Sequence, residues 1–187
     1  MTDVPRSADR YDRVQIILHW LIGFILITMI GLGLFMVELP KQSELPAGEE
    51  SVRAFYFLLH KSIGITVLFL IVIRILWRLT HKAPPMPASI NKWQQRAAGA
   101  MHWILYGFML ALPFSGFAQS MFSKYSTKFW GYPLPRLMEA DSAMRAIYTD
   151  LHQALAYVFI GLIAIHILAA VKHYFAKTGI VERMSLR

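Results

Sequence analysis

The run from Thr149 to Phe175, TDLHQALAYVFIGLIAIHILAAVKHYF, decides how the rest of the chain is read. Three histidines, His152, His166 and His173, stand in a segment otherwise dominated by Ala, Ile, Leu, Val and Phe. A helix advances about 100° per residue, so residues 152 and 166, 14 apart, return to nearly one face, and residue 173 returns to it after 7 more. At a rise of about 1.5 Å per residue, the first two stand roughly 21 Å apart along the axis. Ionisable side chains inside an apolar span are costly and mark functional sites. The stretch reads as a helical post carrying two metal centres at different depths of a bilayer.

The surrounding composition agrees. Of 187 residues, 56% are hydrophobic and 16% charged, and the mean hydropathy of +0.45 is too apolar for an ordinary soluble domain. Cysteine is absent, which excludes disulfides, iron–sulfur ligation and a Cys-x-x-Cys-His haem attachment. A net charge of +8 would suggest nucleic acid in a soluble protein, but here the basic residues flank apolar runs and read as topology instead. The first thirteen residues mix acids with Arg6, Arg10 and Arg13, and the apolar run behind them is longer than a signal-peptide core, so the sequence predicts a retained span.

Four runs reach the roughly 20 residues needed to cross about 30 Å of hydrocarbon: 14–37, 54–77, 97–119 and 149–175. The connections between them are polar and proline-containing, as in the APPMP segment at 83–87. Backbone groups in lipid must pair within their own segment, so the prediction is an all-α integral membrane protein: one domain over 1–187, a four-transmembrane-helix bundle. Twelve Lys and Arg fall on the side of the termini and of the second connection, against seven on the other side. The positive-inside rule then places both termini in the cytoplasm.

That topology sorts the histidines by depth. His60 and His152 lie near the outer starts of helices 2 and 4, while His19 and His166 lie toward the cytoplasmic ends of helices 1 and 4. Bis-histidine ligation of haem iron takes two imidazoles from opposite sides of one plane, which facing helices supply. Each of the four has a small residue four positions on (Gly23, Gly64, Ala156, Ala170), as a flat macrocycle against a helix requires, whereas His102 has Tyr106 and His173 has Lys177. Small residues are also common wherever membrane helices touch. His102 competes with His19 for the inner position. His173, on the face of His166 but at the membrane surface, is either a wetted interfacial residue or part of a quinone site. Arg74 and Arg78, one turn apart, either meet inner propionates or set topology by snorkelling, and Lys61 stands in the same position toward the outer ones. His81 reads as an ordinary loop residue, Pro113 with Gly116 as a kink, and Trp20 and Trp103 as an aromatic belt.

Arg13, the Leu18-His19-Trp20 run, His60 with Gly64, Arg74 and Arg78, Leu112-Pro113 with Gly116, His152 with His166, and His173-Tyr174-Phe175 form an ordered set. The set resembles the bacterial cytochrome b561 family over about residues 10–184 and is similar to cytochrome b subunits of membrane hydrogenases and formate dehydrogenases. The resemblance implies two b-type haems, with His19, His60, His152 and His166 as iron ligands and His173 at the quinone site. It implies residence in the bacterial inner membrane. It further implies electron transfer from periplasmic superoxide to membrane ubiquinone, the activity of a superoxide oxidase. A different role is a haem-bearing anchor for a partner dehydrogenase or hydrogenase. A transition-metal transporter would need intramembrane carboxylates, and the interiors of the four runs have none.

Overall fold

A computed structural model describes residues 10–47, 49 and 51–186. Arg6 and Arg187, counted above for topology, lie outside these. The chain forms four long helices, α1 (Arg13–Glu38), α2 (Arg53–Thr80), α3 (Lys92–Met121) and α4 (Ser142–Phe175). All four are long and apolar enough to cross a membrane, as the sequence predicts.

Two helices begin well before the expected positions, α3 at Lys92 rather than 97 and α4 at Ser142 rather than 149. Polar N-caps are the reason. The Asn91 side chain accepts from the Gln94 N–H at 2.9 Å while the Gln94 side chain accepts from the Asn91 N–H, a reciprocal box. The Asp141 carboxylate accepts from the N–H groups of Ala143 and Met144 at 2.8 and 3.0 Å. Both helices therefore start in polar sequence, which hydropathy does not register.

The expectation of a purely helical chain needs one correction. Strands β1 (Lys128–Phe129) and β2 (Tyr132–Pro133) pair antiparallel in the connection between α3 and α4. Trp130 and Gly131 make the two-residue turn with φ of 49° and 93°. A positive φ at both turn residues matches the right-handed strand twist, and it is costly for a residue as bulky as Trp. Hydrogen bonds to α2 hold it there: the Trp130 N–H donates to Ser62 Oγ at 3.0 Å and its indole N–H to Thr66 Oγ1 at 3.2 Å.

α1 packs closely on α2 and α3 on α4, with α2 also meeting α3. The shared core is a thin apolar layer of Leu18, Ile22, Val67 and Ile71, flanked by Ile25, Leu26, Ile63, Leu70, Met109 and Leu110. Phe159, 2% exposed, is buried in α4 midway between residues 152 and 166, and its ring stacks parallel to Phe108 of α3 at 6.2 Å. Large side chains such as Phe24, Phe69 and Trp103 point outward, as a lipid-facing surface requires.

Candidate functional site

Two imidazole groups lie at two levels of the bundle. At the outer level, His60 of α2 faces His152 of α4, with ring centroids 6.3 Å apart and planes at 85°. His152 is held on its far side by α3. Its Nδ1 lies 3.0 Å from the Leu112 carbonyl oxygen and 3.0 Å from Ser115 Oγ. A carbonyl only accepts, so Nδ1 carries the proton and Nε2 keeps its lone pair. The His60 Nδ1, by contrast, is buried without a hydrogen-bond partner.

Glycines from neighbouring helices admit these two rings. A Cβ added at Gly116 of α3 would stand 3.0 Å from His152 Cε1, and one added at Gly33 of α1 would stand 3.4 Å from His60 Cε1. The four-residue spacing had singled out Gly23 and Gly64 instead. A Cβ at Gly23 would meet nothing within 4 Å, and one at Gly64 only Met29 Cε at 3.7 Å. Space is thus open one turn beyond His19 and filled by Met29 one turn beyond His60, and the glycines touching the outer rings sit across helix interfaces. For Gly33 the only sequence signal is membership in an apolar helix, where glycine needs a reason, whereas Gly116 is also marked by its nearness to Pro113. For Gly116 that reason is ring contact as well as any bend at Pro113, which lies inside an unbroken α3.

At the inner level three imidazoles gather. His166 of α4 stands 6.1 Å from His19 of α1 and 5.7 Å from His102 of α3, centroid to centroid. Arg74 closes the group from α2, its Nη2 lying 3.3 Å from His19 Nδ1.

Arg74 and Arg78 take part in a network on protein groups, neither simply snorkelling nor free. Arg74 Nη1 donates to the Gln15 carbonyl and Arg78 Nη1 to Gln15 Oε1, both at 3.1 Å, and the buried Gln15 in turn donates to the His81 carbonyl at 3.1 Å. The Trp77 indole donates to Asp12 Oδ1 at 3.0 Å. Burial acts to raise the Asp12 pKa, but this bond and the Gln15 N–H outweigh it and hold the carboxyl below its ordinary value. The expectation of a plain loop role for His81 is corrected here. It caps the C-terminus of α2 and stacks on Trp77 at 4.1 Å with planes 4° apart. The Trp20 indole donates to the Met184 carbonyl at 2.8 Å, so this belt residue also ties down the C-terminal segment. His173 sits in the last turn of α4, its Nδ1 3.2 Å from Thr178 Oγ1 just beyond the helix end. It is separate from both imidazole groups.

At the end of the bundle that holds His60 and His152, Lys61 of α2 and Arg145 of α4 lie close enough to feel each other's charge. Lys124, Lys128 and Arg136 belong to the hairpin-bearing connection, where Arg136 donates to the Ser123 and Lys124 carbonyls at 3.4 and 3.0 Å.

The chain matches the family described as prokaryotic cytochrome b561 over residues 10–185. Cytochrome b561 homolog 2 of Escherichia coli K12 is 33% identical over 185 residues, covering 95% of this chain and 92% of that protein. Cytochrome b561 homolog 1 of the same organism is 29% identical over 183 residues, covering 96% and 98%. A probable superoxide oxidase, CybB, of Yersinia pestis is 27% identical over 176 residues, covering 94% and 95%.

Proposed function

The chain belongs to the prokaryotic cytochrome b561 family, and from that premise we propose that it is a two-haem electron carrier, one haem held by His60 and His152 and the other by His19 and His166. Members of this family bind b-type haem and transfer electrons in membranes. The observation that carries the two-site reading is the pair of ring separations, 6.3 Å outside and 6.1 Å inside. Two metal–imidazole bonds of about 2 Å, with each ring centre about 1 Å behind its donor nitrogen, require roughly 6 Å. The His152 tautomer, with its Nε2 lone pair free, suits the same role. We leave His102 outside the ligand set because Tyr106, not a small residue, stands four positions beyond it; its 5.7 Å separation from His166 meets the distance requirement as well.

A bound b-type haem supplies reversible one-electron chemistry at its iron. The chain's own residues do the rest. The four imidazoles fix two centres on one continuous helix, roughly 21 Å apart by helical rise. Ile22, Val67, Ile71 and Phe159 keep the layer between the two levels apolar. Arg74 would supply a cation for a haem carboxylate at the inner centre on leaving its contact with His19 Nδ1, which also lets that ring carry its proton on Nδ1 and offer Nε2.

We take the outer donor to be superoxide and the acceptor to be ubiquinone at the inner end near His173, with both termini cytoplasmic in a bacterial inner membrane. Two superoxide ions would give up two electrons and leave as dioxygen, and the quinone would take those electrons with two protons. Support for the donor comes from the Yersinia relative's description and from the local basic group of Lys61, Lys124, Lys128, Arg136 and Arg145. Such a group attracts a small anion although that side is neutral overall. The test is a reduced-minus-oxidised spectrum with a haem-to-protein ratio, then superoxide consumption by the purified protein with ubiquinone present. Two haems per chain and coupled turnover are expected. One haem or none defeats the two-site reading. Two haems without turnover would favour the anchor-subunit role.

A further inference from the structure

We infer that Ser115 and Gly116 of α3 are positioning residues for His152, fixing its tautomer and the seat of its ring and thereby setting the redox potential of the outer centre. The inference rests on the reading of His152 as a haem ligand.

Three contacts converge on one ring from one turn of α3. The Leu112 carbonyl and the Ser115 hydroxyl both lie 3.0 Å from Nδ1, and Ser115 Oγ lies 2.8 Å from that same carbonyl. The consistent proton arrangement has the hydroxyl donating to the carbonyl while the imidazole N–H is shared between the carbonyl and the hydroxyl oxygen. Ser115 is 4% exposed, so water does not compete for these bonds. Gly116 completes the seat. A methyl group there would stand 3.0 Å from Cε1, 3.2 Å from Nδ1 and 3.7 Å from Nε2, so the ring would have to shift by a few tenths of an ångström against its acceptors. Small residues at membrane helix contacts are common for packing alone, but packing needs neither a hydroxyl nor a carbonyl aimed at one ring nitrogen. His60, the facing imidazole, has the looser Gly33 contact at 3.4 Å and no partner for Nδ1. The outer centre is therefore asymmetric, with one imidazole anchored through Nδ1 and the other buried without a partner there.

An imidazole whose N–H is anchored to an acceptor is a stronger electron donor to its metal and favours the oxidised state. Removing an acceptor should raise the outer potential and leave the inner one alone. The experiment titrates both haems of the full-length protein and records the ferric EPR signal of each, the outer component being the one lost in His152→Ala. Ser115→Ala is expected to shift the outer potential upward and to change the outer EPR signal, with Ser115→Thr restoring both. Gly116→Ala is expected to alter the outer signal more strongly and to lower outer haem content, and Gly33→Ala to do less. An unchanged outer potential and signal in Ser115→Ala, or equal shifts at both haems, would overturn the inference. If Gly116→Ala does not fold, the Ser115 pair of variants still decides. Retention of both haems in His152→Ala would instead defeat the ligand reading on which the inference stands.

Discussion

The outer and inner halves of the bundle solve the same problem with different means. The outer level presents two imidazoles, one of them locked by the Leu112 carbonyl and Ser115, and both abut glycines of neighbouring helices. The inner level presents three imidazoles and an arginine, tied through Gln15 to the ends of α1 and α2. The outer half is specified by shape and by hydrogen bonds to the ring itself. Charge and a surplus of donors characterise the inner half. A change to the outer seat should therefore act on one centre, whereas inside a third imidazole, His102, stands beside the two proposed ligands.

The largest effect expected is at the ligands. His152→Ala should leave a protein with one haem, read from the spectrum and the haem-to-protein ratio, while His166→Ala removes the other. Retention of two haems in either variant would break the assignment. Next comes the choice between the inner imidazoles. His102→Ala should keep two haems and His19→Ala should lose one; the reverse result would exchange their roles and make α3 a ligand helix.

A smaller effect is expected in the layer that separates the halves. Phe159 is buried against Phe108, so Phe159→Ala should cost about 3–5 kcal/mol, the usual range for emptying a large aromatic site. Denaturant unfolding in micelles would measure it, and a loss below about 1 kcal/mol would mean that the layer collapses around the gap. The smallest effect concerns the inner network. Asp12 caps α1 and accepts from Trp77 of α2. Replacing it with Ala should cost about 1 kcal/mol. Its folded pKa lies below the ordinary carboxylate value, so its contribution is complete at neutral pH and disappears as pH falls through that lowered value. Comparing the acid unfolding of the wild type and Asp12→Ala checks this, because the two curves should converge at low pH.

Much of the fold was legible because a bilayer imposes a simple rule. Each span must be apolar, helical and about 20 residues long, and all four appear where the runs of sequence place them. Hydropathy does not reveal the starts of α3 and α4, because capping by Asn91 and Asp141 is local polar chemistry outside the apolar runs. The β1–β2 hairpin escaped notice because its strands are two residues long, and its turn relies on Trp130 held in a conformation that its own sequence disfavours. The role of His81 depends on a stack with Trp77 and a bond from Gln15, 66 residues away, which no periodicity encodes.

The same division applies to the site. Helical spacing placed His152 and His166 on one face of α4, and charge asymmetry matched them with His60 and His19, because both are properties of single segments and their flanks. Which imidazoles stand about 6 Å apart, that His102 is also within reach of His166, and that Arg74 turns toward His19 were decided only when four helices packed. Local spacing drew attention to Gly23 and Gly64, one turn along the ligand helices. Packing put Gly33 and Gly116 against the outer rings, because close approach between helices is a property of two segments at once.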